Sequence, residues 1–563
     1  MSRKIPYGLS DYKKLAEENY VYVDKTRYIE VLESLNTEYP VFLRPRRFGK
    51  SLLVSTLQYY YDIKYAEEFD ALFQKTYIGT HKTALANSYY VLRLDFSKLD
   101  TDNVQVLKDS FYNSVYSSIS FFNKYYLLNI ELPTYEKPYI ANVLDAFLNE
   151  VYLLVGKKVY VMIDEYDHFA NGLLSNTDAF NTITGKDGFV RSFYEVFKTH
   201  AGNGCIDRIF ITGVTSLTLD SLTSGFNIAK NVSMYPALNE MAGFTYEEVK
   251  SLLQEINDTD LEETMMILTE SYNGYRFHNR SGSKVFNSNL VLYFMDEYQR
   301  SKKIPTHLAD SNMRSDYHKL TAMFNLFQDE EARREILEKI MNNDNIETDI
   351  ITNFDLSSPF TEEDFLSLLY YLGLLTIKGE GLMYEVVLQV PNSVIYDIYF
   401  QYYANYLNVS TKAKRSAVGL IAFHDDFEEL NKLIEDILNL HSDEDYKDFH
   451  ESRLKSIMLS CFSNQNIFLV KSEYPVEGKR IDIALFDRRR RDRKTKYNYL
   501  LEIKYIPKAQ AGNARIETIK MQAREQMQEY LQLKEFEEDS RLKGYIYIVV
   551  KNKIVCFEEV ERK

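Results

Sequence analysis

Tyr39-Pro-Val-Phe-Leu-Arg-Pro-Arg-Arg-Phe-Gly-Lys-Ser-Leu-Leu53 decides the fold of the first part of the chain. The apolar run ending at Leu43 reads as a buried strand, and Ser51–Tyr61 as a helix. Between them, Arg44-Pro-Arg-Arg-Phe-Gly-Lys-Ser51 makes a tight turn that opens the helix with Gly-Lys-Ser. A strand, a tight turn and that tripeptide are the parts of a nucleoside-triphosphate cradle. Backbone N–H groups at a helix start hold phosphate oxygens, Lys50 reaches the outer phosphates, and the Ser51 hydroxyl holds Mg²⁺. Gly49 lets the backbone approach closely. Arg46, Arg47 and Phe48 complete the ATP-binding loop, and Arg44 stands where such a loop usually has its first glycine.

Working outward, Val91–Phe96, Lys158–Ile163 and Arg208–Thr212 are further strand candidates separated by helical stretches. That alternation predicts a parallel sheet with crossover connections. Val159-Tyr-Val-Met-Ile-Asp164 is an apolar strand ending in two carboxylates, Asp164 and Glu165. Asp164 is placed to order Mg²⁺ through water, and Glu165 to polarise an attacking water. Thr212 or Thr215 is set to touch the γ-phosphate region, or else simply makes a Thr-Gly turn. Arg276, in Tyr272-Asn-Gly-Tyr-Arg-Phe277, reads as a sensor or finger from a helical lid, or as a surface arginine.

The chain has 563 residues, enough for three or four domains at about 150 residues each. With 45% apolar and 26% charged residues, its composition is globular. Three widely separated cysteines, Cys205, Cys461 and Cys556, exclude a disulfide scaffold and a cysteine-based zinc site. There is no run of about 20 apolar residues and no apolar secretory leader, so a cytoplasmic protein with no membrane partner is expected. The net charge of −15 argues against nucleic acid, but its distribution does not. Residues 471–510 hold 12 Lys and Arg against 6 Asp and Glu, which leaves −21 for the rest. Asp487-Arg-Arg-Arg-Arg-Asp-Arg-Lys-Thr-Lys496 is the core of that basic segment, either a solvated loop or a contact for nucleic-acid phosphates.

Beyond about Phe244 helices dominate. Thr245–Leu253 and Thr361–Tyr371 each carry a helix-start signature. After the second come Leu374–Ile377, a Gly379-Glu-Gly381 turn and Tyr384–Val390, a helix followed by a hairpin, as in a winged-helix module. Such a module binds DNA or packs as a lid. The last part reads helix (449–462), strand (467–470), strand (480–486), basic loop, strand (497–504), helix to Leu533 and strand (545–550). Within it Asp482 sits on one strand, and Glu502 and Lys504, two apart, project from one face of the next. An Asp and a Glu on adjoining strands can clamp Mg²⁺ or Mn²⁺, and a lysine beside them can orient or activate water and offset developing charge. This is the Asp…Glu-x-Lys pattern of PD-(D/E)XK nucleases; the alternative is a salt-bridged surface hairpin followed by an amphipathic helix.

Together, Arg44–Ser51, Val21-Tyr-Val-Asp-Lys-Thr26, Ile211-Thr-Gly-Val-Thr215 and Tyr272–Phe277 resemble the bacterial AAA-ATPase-like family that carries a C-terminal PD-(D/E)XK nuclease domain. The resemblance covers essentially the whole chain. It implies that Arg-Pro-Arg-Arg-Phe-Gly-Lys-Ser is the usual loop, so the absent glycine does not count against ATP binding. It also implies a role near the site for Gln526 and Tyr530, and a further carboxylate from the helix before the strands, either Asp448 or Glu451. Gly478 and Arg480 fit the family's Gly-Arg-x-Asp stretch, with Lys479 as a departure. The organisation expected is an α/β protein with a P-loop ATPase domain over 1–240, a helical, winged-helix-like lid over 241–420 and a nuclease-type α/β domain over 421–563. Its cofactors would be ATP and Mg²⁺, with Mn²⁺ an alternative at the nuclease site; its partner would be DNA or RNA, with a homo-oligomer compatible. The alternative is an ATP-dependent switch or scaffold whose nuclease-like domain only binds nucleic acid or protein. No helicase motif set accompanies the two nucleotide motifs.

Overall fold

Pro40–Leu43 is apolar throughout and lies buried inside a parallel sheet, as a strand covered on both faces must. A computed structural model describes residues 3–132, 140–173, 177–184, 188–217, 226–256, 260–310, 324, 327, 329–352, 354, 360–463, 467–488 and 494–562. Its first sheet contains β1 (Pro40–Leu43), β2 (Tyr90–Asp95), β3 (Val159–Asp164), β4 (Ile206–Gly213) and β5 (Lys230–Asn231), ordered β2-β3-β4-β1-β5 with every pair parallel. The four longer strands fall where the alternation places them; β5 has two residues and leaves no pattern to read. Because β4 separates β1 from β3, Thr212 lies between the helix opened by Lys50 and the acidic end of β3. That helix is α1 (Lys50–Tyr61), and α2 (Val104–Tyr125), α3 (Ile140–Val155) and α4 (Phe189–Asn203) complete the layers.

The middle region starts with α5 (Tyr246–Glu255), capped reciprocally by Thr245 and Glu248. Further on come α6 (Glu330–Met341) and α7 (Glu362–Tyr371), the latter with a Thr361–Asp364 capping box. The hairpin after α7 is present as β7 (Thr376–Glu380) and β8 (Val386–Gln389), and β6 (Ile346–Thr348) adds a third antiparallel strand. Its turn is not at Gly379–Gly381, because β7 continues through Glu380; the reversal is closed by Gly381 N donating to Glu385 O at 2.7 Å. α8 (Ser393–Tyr406) follows.

The last part contains α9 (Glu451–Cys461), β9 (Phe468–Val476), β10 (Lys479–Asp487), β11 (Asn498–Ile506), α10 (Asn513–Leu531), β12 (Leu542–Val550) and β13 (Lys553–Val560). The sheet order is β13-β12-β11-β10-β9, with β11 and β12 parallel and the other pairs antiparallel. β13 is an addition to the sequence reading. Its half-exposed residues carry no clean alternation, and its turn at Lys551-Asn552 lacks the Asn-Gly or Asp-Gly signature of a hairpin. One face of this sheet, with Ile483, Leu485, Leu501 and Ile503, joins the core that runs through the rest of the chain. The other packs Ile481, Leu500 and Ile546 against Ala523, Met527 and Tyr530 of α10.

α9 is clamped from outside its own sheet. Asn342, at the end of α6, donates to Ser452 O at 3.1 Å and to Ser456 Oγ at 3.0 Å. Glu338 of α6 accepts from Tyr403 of α8 at 2.8 Å and pairs with Arg453 of α9 at 3.3 Å. Among the described residues, no helix is long and apolar enough to cross a membrane.

Candidate active sites

The Arg44–Ser51 loop is built by its own unusual residues. Arg44 is 1% exposed, and its guanidinium donates to Leu43 O (2.8 Å), Ser233 O (2.7 Å) and Leu238 O (2.8 Å) while lying over the rings of Phe42 and Phe277. It ties the end of β1 to the segment after β5, and burial pushes its pKa down to about 9. Arg47 and Gly49 both take left-handed φ values, +70° and +88°, and Gly49 caps α1. Phe48 points away from the helix start, edge-on to Tyr275 at 4.8 Å and to Phe277 at 5.6 Å. The Tyr272–Phe277 motif and the loop therefore form one packed unit.

That unit continues into α8. Gly274 has φ +105°, and a Cβ there would stand 2.0 Å from Pro391 O; Asn392, the cap of α8, donates to Asn273 O at 2.9 Å. Gly274→Ala is expected to destabilise the protein by about 2 kcal/mol or more, because backbone on both sides must move. A thermal unfolding scan checks this, and an unchanged midpoint would contradict it.

A cavity of about 490 Å³ opens beside the loop. Arg46, Arg47, Phe48, Gly49, Lys50 and Ser51 form one wall and Glu165 and His168 another, and residues of the Tyr22–Thr26 segment, Met241–Phe244, Leu9, Leu52 and Leu292 also line it. Asp24 Oδ1 fixes the N-terminal segment by accepting from Thr26 N (2.8 Å) and Thr26 Oγ1 (2.7 Å). Lys25 donates to both oxygens of Glu248 at 2.8 and 2.7 Å. Lys50 Nζ is buried and donates to Arg44 O (2.9 Å) and Pro45 O (3.1 Å). Desolvation lowers its pKa, opposed by Glu165, Asp164 and Asp167. Glu165 holds a left-handed φ of +52°, and its pKa is lowered, first by His168, whose Nδ1 stands 3.4 Å from Oε2, and then by Lys50.

Asp164 lies behind this wall rather than in it. It is 2% exposed and accepts from Thr212 Oγ1 at 2.6 Å. Asp167, which sequence reasoning passed over, is fully buried and accepts from the Val214 N–H (3.1 Å) and from Thr215 N and Oγ1 (2.7 and 2.8 Å). Arg276 is not brought to the cavity: Nη1 donates to Lys378 O at 3.0 Å, on the hairpin. Its backbone joins the same hairpin through Thr376, which turns the side chain away from the loop that Tyr275 and Phe277 support.

The second centre lies where β10 and β11 part. Their ladder pairs 483–485 with 499–501. Next to it, Ile503 N donates at 2.8 Å to Asp482 Oδ2. On β11, Leu500, Glu502 and Lys504 share one face. Glu502 is 1% exposed, and neither carboxylate oxygen has an aligned hydrogen-bond donor, although Lys504 Nζ stands 2.6 Å from Oε1. Burial, then the charge of Asp482, raises the Glu502 pKa well above the carboxylate range. Burial alone would lower Lys504, but Glu502, Asp482 and Glu451 outweigh it and raise its pKa.

The structure separates the two first-helix candidates. Glu451 opens α9 with Oε1 3.7 Å from Lys504 Nζ and Oε2 accepting from Tyr505 N at 3.3 Å. Asp448 is exposed. Tyr530 Oη donates to Arg480 O at 2.6 Å and accepts from Gln526 Nε2, so Gln526 reaches the site's edge through Tyr530. Lys455, one turn after Glu451, bonds Asp482 and Glu473 and left no signal in the local sequence.

Among the described residues no three His, Cys, Asp or Glu side chains converge as a metal cage. Asp482 and Glu502, whose Oε2 has no donor among the described residues, nonetheless suit a hard cation that keeps most of its waters, as Mg²⁺ does. The basic run is less free than its composition suggests. Arg488, 8% exposed at its side chain, donates to Phe468 O (2.9 Å) and pairs with Asp397 of α8 (3.1 Å). Lys494 and Lys496 are exposed, and Arg489–Arg493 lie outside the described residues.

A phosphate loop on a parallel sheet and a carboxylate–lysine centre on a mixed sheet define an ATPase-like and a nuclease-like class within one chain. Comparison with known families agrees. Residues 6–223 match the family described as "Predicted AAA-ATPase", and residues 449–559 match the PD-(D/E)XK nuclease superfamily. The chain thus carries a predicted AAA-ATPase domain and, at its C-terminal end, a PD-(D/E)XK nuclease superfamily domain.

An uncharacterised protein from the vnfD 5′ region of Azotobacter chroococcum mcd 1 is 27% identical over 322 residues. The aligned part is 55% of this chain and 56% of that protein, so the match spans about half the length of each. Among solved structures, Cdc6p from Pyrobaculum aerophilum is 11% identical, with 69% of this chain and 97% of that chain covered and a TM-score of 0.26. The Drosophila ORC bound to GC-rich DNA and Cdc6 is 9% identical, with coverages of 78% and 61% and a TM-score of 0.18. Scores this low carry no argument about fold or function.

Proposed function

We propose that the chain is a cytoplasmic ATP-binding and ATP-hydrolysing protein coupled to a metal-dependent nuclease that hydrolyses phosphodiester bonds. Its ATPase domain would extend over 1–240, its helical lid over 241–420 and its nuclease domain over 421–563. The observation that carries the nuclease half is Glu502, a carboxylate only 1% exposed beside Asp482, with Lys504 at Oε1 and no donor to Oε2 among the described residues. Such a group is costly unless a cation or ordered water completes it.

In this reading the nucleotide occupies the 490 Å³ cavity, its base against Leu9, Leu52, Met241 and Leu292 and its phosphates along Arg46–Ser51. Lys50 exchanges its two loop carbonyls for phosphate oxygens, Ser51 and Asp164 serve the accompanying Mg²⁺, and Glu165 orients the attacking water. Thr212 holds Asp164 in place. At the second centre Asp482 and Glu502 hold Mg²⁺ or Mn²⁺, which when bound supplies Lewis acidity towards the phosphodiester. Lys504, 2.6 Å from Glu502 Oε1, orients or activates water and offsets charge on the scissile phosphate. Nucleic acid approaches over the exposed Lys494 and Lys496, while Arg488 stays in its bond to α8.

The test is a cleavage panel of single- and double-stranded DNA and RNA, with Mg²⁺ or Mn²⁺, with and without ATP. Cleavage of at least one substrate that disappears with EDTA is expected. No cleavage in any lane would leave an ATP-dependent switch whose last domain only binds.

A further inference from the structure

Lys455 is 5% exposed, and a lysine is seldom so buried without a charged partner. It lies four residues after Glu451, on the face of α9 that meets the sheet. Its Nζ is 3.2 Å from Asp482 Oδ1 and closer still to Glu473, which holds a left-handed φ of +48° on β9. One ammonium group thus already stands against a carboxylate that the nuclease reading gives to a divalent cation.

The charges around the centre are nearly balanced. With all four carboxylates ionised, as cation binding requires, Glu451, Glu473, Asp482 and Glu502 face Lys455 and Lys504, which leaves two negative charges. Asp344 lies within electrostatic reach of Lys455 and is itself offset by Arg480 and Lys339, so this outer ring adds no net negative charge. A single divalent cation therefore neutralises the centre. A second would have to enter beside an ammonium already bonded to Asp482, with no unpaired carboxylate left to compensate the repulsion. Asp482 is also fixed on both oxygens, by Lys455 at Oδ1 and by the Ile503 N–H at Oδ2.

We propose that Lys455 Nζ takes the place of a second cation, so that the centre binds one divalent ion, and that Lys455 positions Asp482 for it. This rests on the nuclease reading above. Lys455 is accordingly a positioning residue, and its signature is a binding stoichiometry and not a rate.

The test is titration of the full chain with Mn²⁺, without nucleotide, following the electron paramagnetic resonance signal of the free ion. Ions at this centre are counted as those lost when Glu502→Gln is introduced. One ion per chain is expected for the unmodified protein and for Lys455→Arg, and two for Lys455→Gln. Two ions on the unmodified protein would overturn the proposal. So would one ion on a Lys455→Gln protein that still binds nucleotide at the distant loop and is therefore folded. Should Lys455→Gln not fold, the unmodified and Lys455→Arg proteins decide: one ion in each supports the proposal, two in either removes it. No ion sensitive to Glu502 would instead remove the nuclease reading itself, and the proposal with it.

Discussion

Glu502→Gln is expected to cut metal-dependent cleavage by at least about a hundredfold while making the metal-free protein more stable. The two effects have one cause. Glu502 is buried beside Asp482, and the single ammonium of Lys504 does not outweigh those two influences, so its charge is disfavoured until a divalent cation arrives. Glutamine fills the same space without that charge, and it cannot replace an anionic ligand. The dependence on pH has a definite sign. The Glu502 pKa is raised in the folded protein, so from the ordinary carboxylate range upward the unfolded chain has lost a proton that the native state retains. Stability of the metal-free protein therefore declines as pH rises through that window, and the decline is smaller in Glu502→Gln. Added Mg²⁺ or Mn²⁺ should restore the unmodified protein and leave the variant unmoved. Melting curves at several pH values, with EDTA or metal, read all of this. A variant that is less stable than the parent in EDTA would contradict the account.

Lys50→Ala is expected to weaken ATP binding by roughly a hundredfold and to abolish hydrolysis, since a charge-assisted contact to the outer phosphates disappears from a water-poor site. The fold should persist. Lys50 bonds only the carbonyls of Arg44 and Pro45, and the loop is held independently by Arg44, by Phe48 against Tyr275 and Phe277, and by Gly243 N donating to Phe48 O at 3.0 Å. Calorimetric titration with a non-hydrolysable ATP analogue measures the loss. Mn²⁺ bound at Glu502 should be unchanged in the same protein, which separates a local effect from unfolding. Retained affinity would show that the cavity beside Lys50 is not the nucleotide site.

The parts of each centre that are contiguous in sequence were legible in it. The loop, Asp164 with Glu165, and Glu502 with Lys504 owe their geometry to one turn or one strand, so spacing alone places them on a common face. What escaped depends on contacts between distant segments. Lys455 reaches Asp482 across 27 positions, and nothing near Ser452-Arg-Leu-Lys455 advertises a buried cation. Arg44 reads as a missing glycine until Ser233 and Leu238 are seen to accept from it across about 190 positions. Arg276 shows the converse: its motif meets the loop through Tyr275 and Phe277, and the arginine between them turns to the hairpin, which a linear motif does not reveal. A composition count made Arg488 a free cation, whereas Asp397 already holds it.

The clamp on α9 bears on how such a protein can be inherited. Recombination that moved the C-terminal sheet to another gene without residues 330–406 would uncover Arg453 and Ser456, which bond Glu338 and Asn342. The helix that carries Glu451 and Lys455 would then lack the wall that fixes its height over the sheet. A fragment of that kind keeps every short motif of a nuclease and loses the alignment that makes them a centre. Shuffling is thereby penalised at this border, and the C-terminal sheet is expected to travel between genomes together with residues 330–406.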